Sequence, residues 1–222
     1  MSDDQAQQQL GTVKRIYAHW GRHPRVYAAQ DWFTFLGRPH VIRRRAVGAT
    51  GMGPGARVLE VACGTGRNFR YIEDRIGPEG QLVGFDYTSE MLDAARDLTR
   101  QRGWQNVALI QGDAAELEVG DEPFDAVVSI LSMSVIPQHI RALERCREVL
   151  RPGGVLSICD ARLLPDRLRA LNPLIRAIFV PTTGWRPDRD LVTDIRRVFG
   201  NVSVESYNLG SFFVATATRD PE

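Results

Sequence analysis

Two carboxylates and a glycine turn are spaced in this chain as they would be to hold a nucleoside. The apolar run RVLEVA carries Glu60 and leads into Cys63-Gly64-Thr65-Gly66. Twenty residues past Gly66, a second run, QLVGFD, ends in Asp86. Glycines in such a turn let a ligand press against backbone, and an acid at the tip of the next strand can accept from ribose hydroxyls. Glu60 lies ahead of the turn, where a carboxylate beside a ligand needs a cationic or hydrogen-bonding partner such as an α-amino group. A third strand ends in Gly112-Asp113-Ala114, which sets an acid or a backbone edge beside an adenine amino group. The dinucleotide fingerprint wants a further glycine at position 69, and Phe69 stands there instead. That counts against a nicotinamide oxidoreductase.

Positioning these residues requires alternating strands and helices. After RVLEVA, Phe69, Ile72 and Ile76 fall at helical spacing. GPEG at 77–80 is a turn before QLVGFD, and Ser89 is expected to cap a helix bearing Met91, Ala95 and Leu98 that stops at Gly103. VALIQGD and FDAVVSI are the third and fourth strands. Ile136, Ile140, Leu143 and Val149 mark a helix ended by the RPGG turn at 151–154, and VLSICD is the fifth strand. A short helix at 192–200 precedes two strands, NVSVESYN and SFFVATAT, too close to pair except as an antiparallel hairpin. The pattern predicts a single α/β, Rossmann-like domain whose mostly parallel sheet ends in that hairpin. Residues 1–10 read as a loose tail, 11–48 and 161–191 as helical caps over the ligand edge, 49–160 as the core, and 192–222 as the last helix and hairpin.

The bulk numbers agree with one globular domain: 222 residues, 43% hydrophobic and 25% charged. No apolar run approaches the roughly 20 residues of a membrane span. MSDDQAQQQL has no apolar signal core, so a cytoplasmic home is expected. Cys63, Cys146 and Cys159 form neither a CxxC nor a Cys/His cluster, and are read as core residues, with no metal site and no disulfide. Net charge is +1 but uneven: residues 11–57 carry nine Lys or Arg against one acid, Asp31. This basic segment reads first as a solvated helix surface, with an anionic substrate or lipid head group as the alternative.

The motifs together resemble the class I S-adenosylmethionine (SAM)-dependent methyltransferases: E-x-x-C-G-T-G at 60–66, FDYTSEML at 85–92, GDAAEL at 112–117, FDAVVS at 124–129 and LRPGG at 150–154. The resemblance implies a seven-stranded sheet with helices on both faces, and SAM as cofactor. It implies a cofactor site of Glu60, Ala62, Gly64, Gly66, Asp86, Tyr87, Met91, Asp113, Ala114, Ser129 and Ile130. Asp86 would take the ribose, Tyr87 and Met91 the adenine face, and Asp113 and Ala114 the adenine edge. Ser129 and Ile130 would lie near the methionine end. Within the family, the N-terminal helices and the YNLG ending are similar to quinone-biosynthesis C-methyltransferases and phospholipid N-methyltransferases. The stretch after the fourth strand departs from the quinone enzymes: Leu131-Ser132-Met133-Ser134-Val135 holds no Arg or Asn.

Methyl transfer to some acceptors needs a base, and Tyr17, Tyr27 and His40 are the candidates. Tyr17, Trp20, Tyr27, Trp32 and Phe33 are numerous enough to wall a pocket, or simply to pack helices together. His139, opening a helix, is expected at the surface. The segment Leu163–Phe179 is apolar with Arg between; core packing is expected, and an interfacial membrane helix is the alternative. The acceptor expected is a small, amphiphilic or aromatic molecule. A non-catalytic SAM-binding module is the rival class. Nucleic acid is disfavoured, since no base-handling Asn/Asp-Pro-Pro-Tyr motif follows the fourth strand.

Overall fold

The structure, a computed structural model, describes residues 3–34, 37 and 39–220. Three helices, α1 (Asp3–Arg22), α2 (Pro24–Thr34) and α3 (Pro39–Gly48), precede the sheet. The strands are β1 (Arg57–Val61), β2 (Gln81–Asp86), β3 (Val107–Gln111), β4 (Phe124–Ile130), β5 (Leu150–Ala161), β6 (Val202–Tyr207) and β7 (Phe212–Thr218). Between them run α4 (Phe69–Ile76), α5 (Ser89–Arg102), α6 (His139–Val149), α7 (Asn172–Thr183) and α8 (Leu191–Phe199). The order across the seven-stranded sheet is β3-β2-β1-β4-β5-β7-β6; β1 to β5 are parallel, and β7 runs antiparallel between β5 and β6.

The central strands are continuous apolar runs because both of their faces are covered. Side chains alternate between two layers. Leu59, Val127, Leu143, Leu156, Ile195 and Phe199 pack with α6 and α8 on one face. Val58, Ala126, Val128, Phe69, Ile72 and Leu92 pack on the other, with Ile42, Ala46 and Val47 of α3. The chain winds one way from β1 to β3 and the other way from β4 to β5. The loops after β1 and β4 therefore part at the carboxyl ends of those strands, where open α/β sheets bind ligands.

Some local expectations change. Residues 3–10 are helical, extending α1 rather than forming a loose tail. Thr88, not Ser89, occupies the N-cap of α5, and Ser89 bonds to Glu90 instead. Ile136 lies ahead of α6. The RPGG segment does not interrupt the strand. It is absorbed as an irregularity of β5, with Leu150 paired to Phe124 and Val155 to Ala126. Gly153, at φ 74°, and Gly154 exchange backbone hydrogen bonds of 2.8 and 2.9 Å with Arg219 beyond β7. No helix among the described residues is long and apolar enough to cross a membrane.

Candidate active site

The turn after β1 is left-handed at three positions: Ala62 (φ 52°), Gly64 (φ 56°) and Gly66 (φ 75°). A β-carbon at Gly64 would meet only the Met91 sulfur, at 3.9 Å, so its glycine answers to backbone conformation. At Gly66 the reason is packing. A β-carbon there would lie 2.8 Å from the Phe69 ring, and one at Gly84 of β2 would lie 2.7 Å from the same ring. The residue that breaks the dinucleotide fingerprint thus fills the space between the turn and β2.

Asp86 ties the two strand tips together. Its carboxylate accepts from the Gly64 N–H at 2.8 Å and the Thr88 N–H at 2.9 Å. Burial raises its proton affinity, and these bonds offset part of that. Behind the turn runs a buried polar chain. Asp31 pairs with Arg43 at 2.5 Å and with Arg67 at 2.8 Å. Arg43 donates to Asn68, and Asn68 donates to Glu60 Oε1 at 2.5 Å. Glu60 Oε2 is buried and has no hydrogen-bond partner among the described residues. Burial pushes the Glu60 carboxyl up to about 8, against the lowering by Asn68 and Arg43.

A cleft opens above these groups. Tyr17, Tyr27, Ala62, Gly64, Asp86, Tyr87, Asp113, Ala114 and Ile130 line it. Leu10, Val13 and Tyr17 of α1 cover it. Four expected residues stand back from its wall. Glu60 is 1% exposed, Gly66 supports Phe69, Met91 is fully buried under Gly64, and Ser129 is fully buried against the Ser132 hydroxyl at 2.7 Å. His40 is exposed on α3 and lines neither this cleft nor the chamber beside it.

The chamber, about 440 Å³, lies beyond Tyr17 and Tyr27. Leu131, Leu164, Leu168, Ile175, Phe179 and Trp185 make it predominantly apolar. Its polar residues include Asp160 at the end of β5, which accepts from the Ser134 N–H and hydroxyl, both at 2.8 Å, and from the Ala161 N–H at 2.7 Å. Burial pushes Asp160 up to about 6. Burial likewise raises Tyr17 well above its ordinary range, and burial with Asp31 nearby raises Tyr27 to about 12. At neutral pH both are protonated phenols, not bases.

Sequence reasoning missed Arg43, Asn68, Asp160, Ser134 and Arg189. Arg189 donates to the carbonyls of Ser134 (2.9 Å), Ile136 (2.5 Å) and Pro137 (3.0 Å), fixing the loop between β4 and α6 that lines both cavities. Only the Asp at the end of VLSICD gave a signal, an acid closing an apolar strand. His139 is not a surface residue: it bonds to Asp194 at 2.8 Å with its side chain 13% exposed. Of the aromatic residues in the first cap, Trp20 donates to the Thr182 carbonyl and Trp32 is half exposed. The Phe33 side chain lies outside the described residues.

Residues 58–154 match the family model of the methyltransferase domain. Those residues form a methyltransferase domain. A demethylmenaquinone methyltransferase of Listeria welshimeri is 36% identical over 106 residues, which cover 48% of this chain and 45% of that protein. The chain spans about half the length of the curated relatives it matches. Two solved structures share the fold. The [4+2]-cyclase SpnF has TM-score 0.66 and 18% identity, with 81% of each chain covered. A SAM-dependent methyltransferase from Aquifex aeolicus has TM-score 0.63 and 17% identity, with 79% of this chain and 88% of that one covered.

Proposed function

We propose that the protein transfers the methyl group of SAM to an apolar or amphiphilic small molecule held in the chamber. One observation carries this reading: Tyr17, Tyr27, Leu131 and Val135 line both the cleft and the chamber, so the two cavities adjoin at these side chains.

The cleft fits SAM. Gly64 leaves open space over backbone, Asp86 ends β2 with its carboxylate at the cleft wall, and the orphaned Glu60 oxygen suits a positive charge in or beyond the Arg43–Asn68 layer. When bound, SAM supplies a sulfonium-activated methyl for in-line displacement. Asp86 would hold the ribose hydroxyls, with Tyr87, Asp113 and Ala114 around the adenine and Ile130 toward the methionine end. Met91 and Gly66 would act by shaping the turn, and Ser129 by anchoring Ser132. The acceptor's own binding is hydrophobic, and the apolar lining excludes water from the transfer. Two carboxylates line the chamber, and Asp31 is paired with Arg43 and Arg67, so where the acceptor presents an O–H or N–H, Asp160 is the one left to receive its proton.

Quinone C-methylation is a second reading, favoured by what the Listeria relative is named for. The Leu131–Val135 loop, without Arg or Asn, speaks against an identical acceptor. Phospholipid N-methylation fits the same apolar chamber.

Incubation with methyl-labelled SAM and separate organic and aqueous cell extracts tests the proposal. Label is expected in a product that partitions into the organic phase. Label confined to polar products would refute the chamber as acceptor site. S-adenosylhomocysteine binding without label transfer to either extract would leave a non-catalytic module.

A further inference from the structure

The apolar lining of the chamber does not stop at its mouth. Leu171 and Leu209 line the chamber, yet they are 50% and 74% exposed. On α7, Leu174 is 62% and Ile178 50% exposed. Residues 171, 174 and 178 share one helical face, while Ile175 and Phe179, a step further round, line the chamber. The expectation that this segment packs into the core fails, because α7 buries none of its residues. Leu209 is held at φ 58°, a left-handed conformation unfavourable for a branched apolar residue. Packing inside this chain explains neither that strain nor that exposure.

Charge distinguishes the occupants. Between residues 161 and 185 the chain carries Arg162, Arg167, Arg169 and Arg176 against one acid, Asp166. Arg167, Arg169 and Arg176 are exposed. A second copy docked symmetrically would bring these arginines against their own counterparts. An anionic lipid surface would take the leucines at its acyl boundary and the guanidinium groups at its phosphates.

We infer that the rim made by residues 167–178 and the Asn208–Gly210 turn docks on an anionic lipid surface, so that the acceptor enters the chamber from the bilayer. This rests on the chamber being the acceptor site and narrows the acceptor to a membrane-resident amphiphile. The rim lies on the membrane and does not span it.

Flotation of the full chain with vesicles tests the inference. The vesicles are phosphatidylcholine alone, or phosphatidylcholine with an equal part of phosphatidylglycerol. The protein is expected to float with the anionic vesicles at low salt, and at least about tenfold more weakly with neutral vesicles or at raised salt. Leu174→Asp/Ile178→Asp should lose most of that binding while its S-adenosylhomocysteine affinity stays unchanged, since both side chains are exposed. Arg167→Glu/Arg169→Glu should remove the preference for anionic lipid. Failure of the folded wild type to float, or equal flotation of the double aspartate variant, overturns the inference. So does a wild-type dimer in sedimentation velocity that the aspartates split while vesicle binding is absent. Calorimetry with S-adenosylhomocysteine separates the two readings: a chain that binds it and does not float loses only the docking surface. A chain that floats and does not bind it keeps the surface and loses the methyltransferase reading.

Discussion

Glu60 holds a carboxyl group sealed from solvent in β1, with one oxygen bonded to Asn68 and the other orphaned. Its ordinary value is 4.5, and burial lifts it to about 8 in the fold. Between those values the folded chain binds a proton that the unfolded chain has released, so stability falls as pH rises through the window. Asp160 acts in the same direction, but its window closes at about 6. From about pH 6.5 to 8 Glu60 governs the slope, because His139, which burial holds below its ordinary 6.5, acts in the opposite direction only below that value. The melting temperature of the ligand-free protein should fall across that range, and Glu60→Gln should flatten the fall; an equally steep variant would remove Glu60 as the cause. Asp86 gives a ligand-side prediction. Its carboxylate both holds the Gly64 and Thr88 N–H groups and faces the cleft. Asp86→Ala should weaken S-adenosylhomocysteine binding about ten- to a hundredfold in calorimetry, the loss expected for hydrogen bonds to a charged acceptor. Unchanged affinity would move the ribose elsewhere.

The element that joins the cavities is the loop between β4 and α6, and its shape is set by a residue some fifty positions further on. Arg189 satisfies three of its carbonyls, and burial lowers the guanidinium to about 10. Arg189→Met would leave those carbonyls without their donor while keeping much of the aliphatic stem. The expected result is faster amide exchange across residues 131–138, with stability reduced by about 1–3 kcal/mol. Unaltered exchange there would show that the loop holds itself. This dependence also explains what the sequence could reveal. The glycine turn, Asp86 and Asp113 were legible because each belongs to a short strand-turn pattern. The Asp31–Arg43–Asn68–Glu60 chain was not, because it joins α2, α3, the turn and β1 through side chains that carry no shared periodicity. Leu163–Phe179 was misread for a related reason: apolar spacing gives a helix an apolar face without saying whether protein covers it.

Across the whole molecule, the sheet was legible because its strands are buried runs separated by turn residues and its closing hairpin is too short to cross over. How the N-terminal helices sit on that sheet was not, since it depends on a contact between backbones. Gly21, near the end of α1, lies against α5: a β-carbon there would stand 2.6 Å from the Glu90 carbonyl carbon and 2.8 Å from Met91 N. Arg22 pairs with Glu90 at 2.7 Å, and Trp20 donates to the Thr182 carbonyl at 3.0 Å, so α1 bridges α5 and α7 while Leu10, Val13 and Tyr17 roof the cleft. In an unpacked helix Gly→Ala is stabilising by up to about 1 kcal/mol. Here the methyl group would meet backbone that cannot turn aside, and the helix must lift. Gly21→Ala should therefore lower the melting temperature, weaken S-adenosylhomocysteine binding severalfold though Gly21 does not line the cleft, and speed tryptic cleavage at Lys14 and Arg15. The sign decides between the two outcomes: a variant that melts higher and binds as the parent does would mean that α1 does not close over the cleft by this contact.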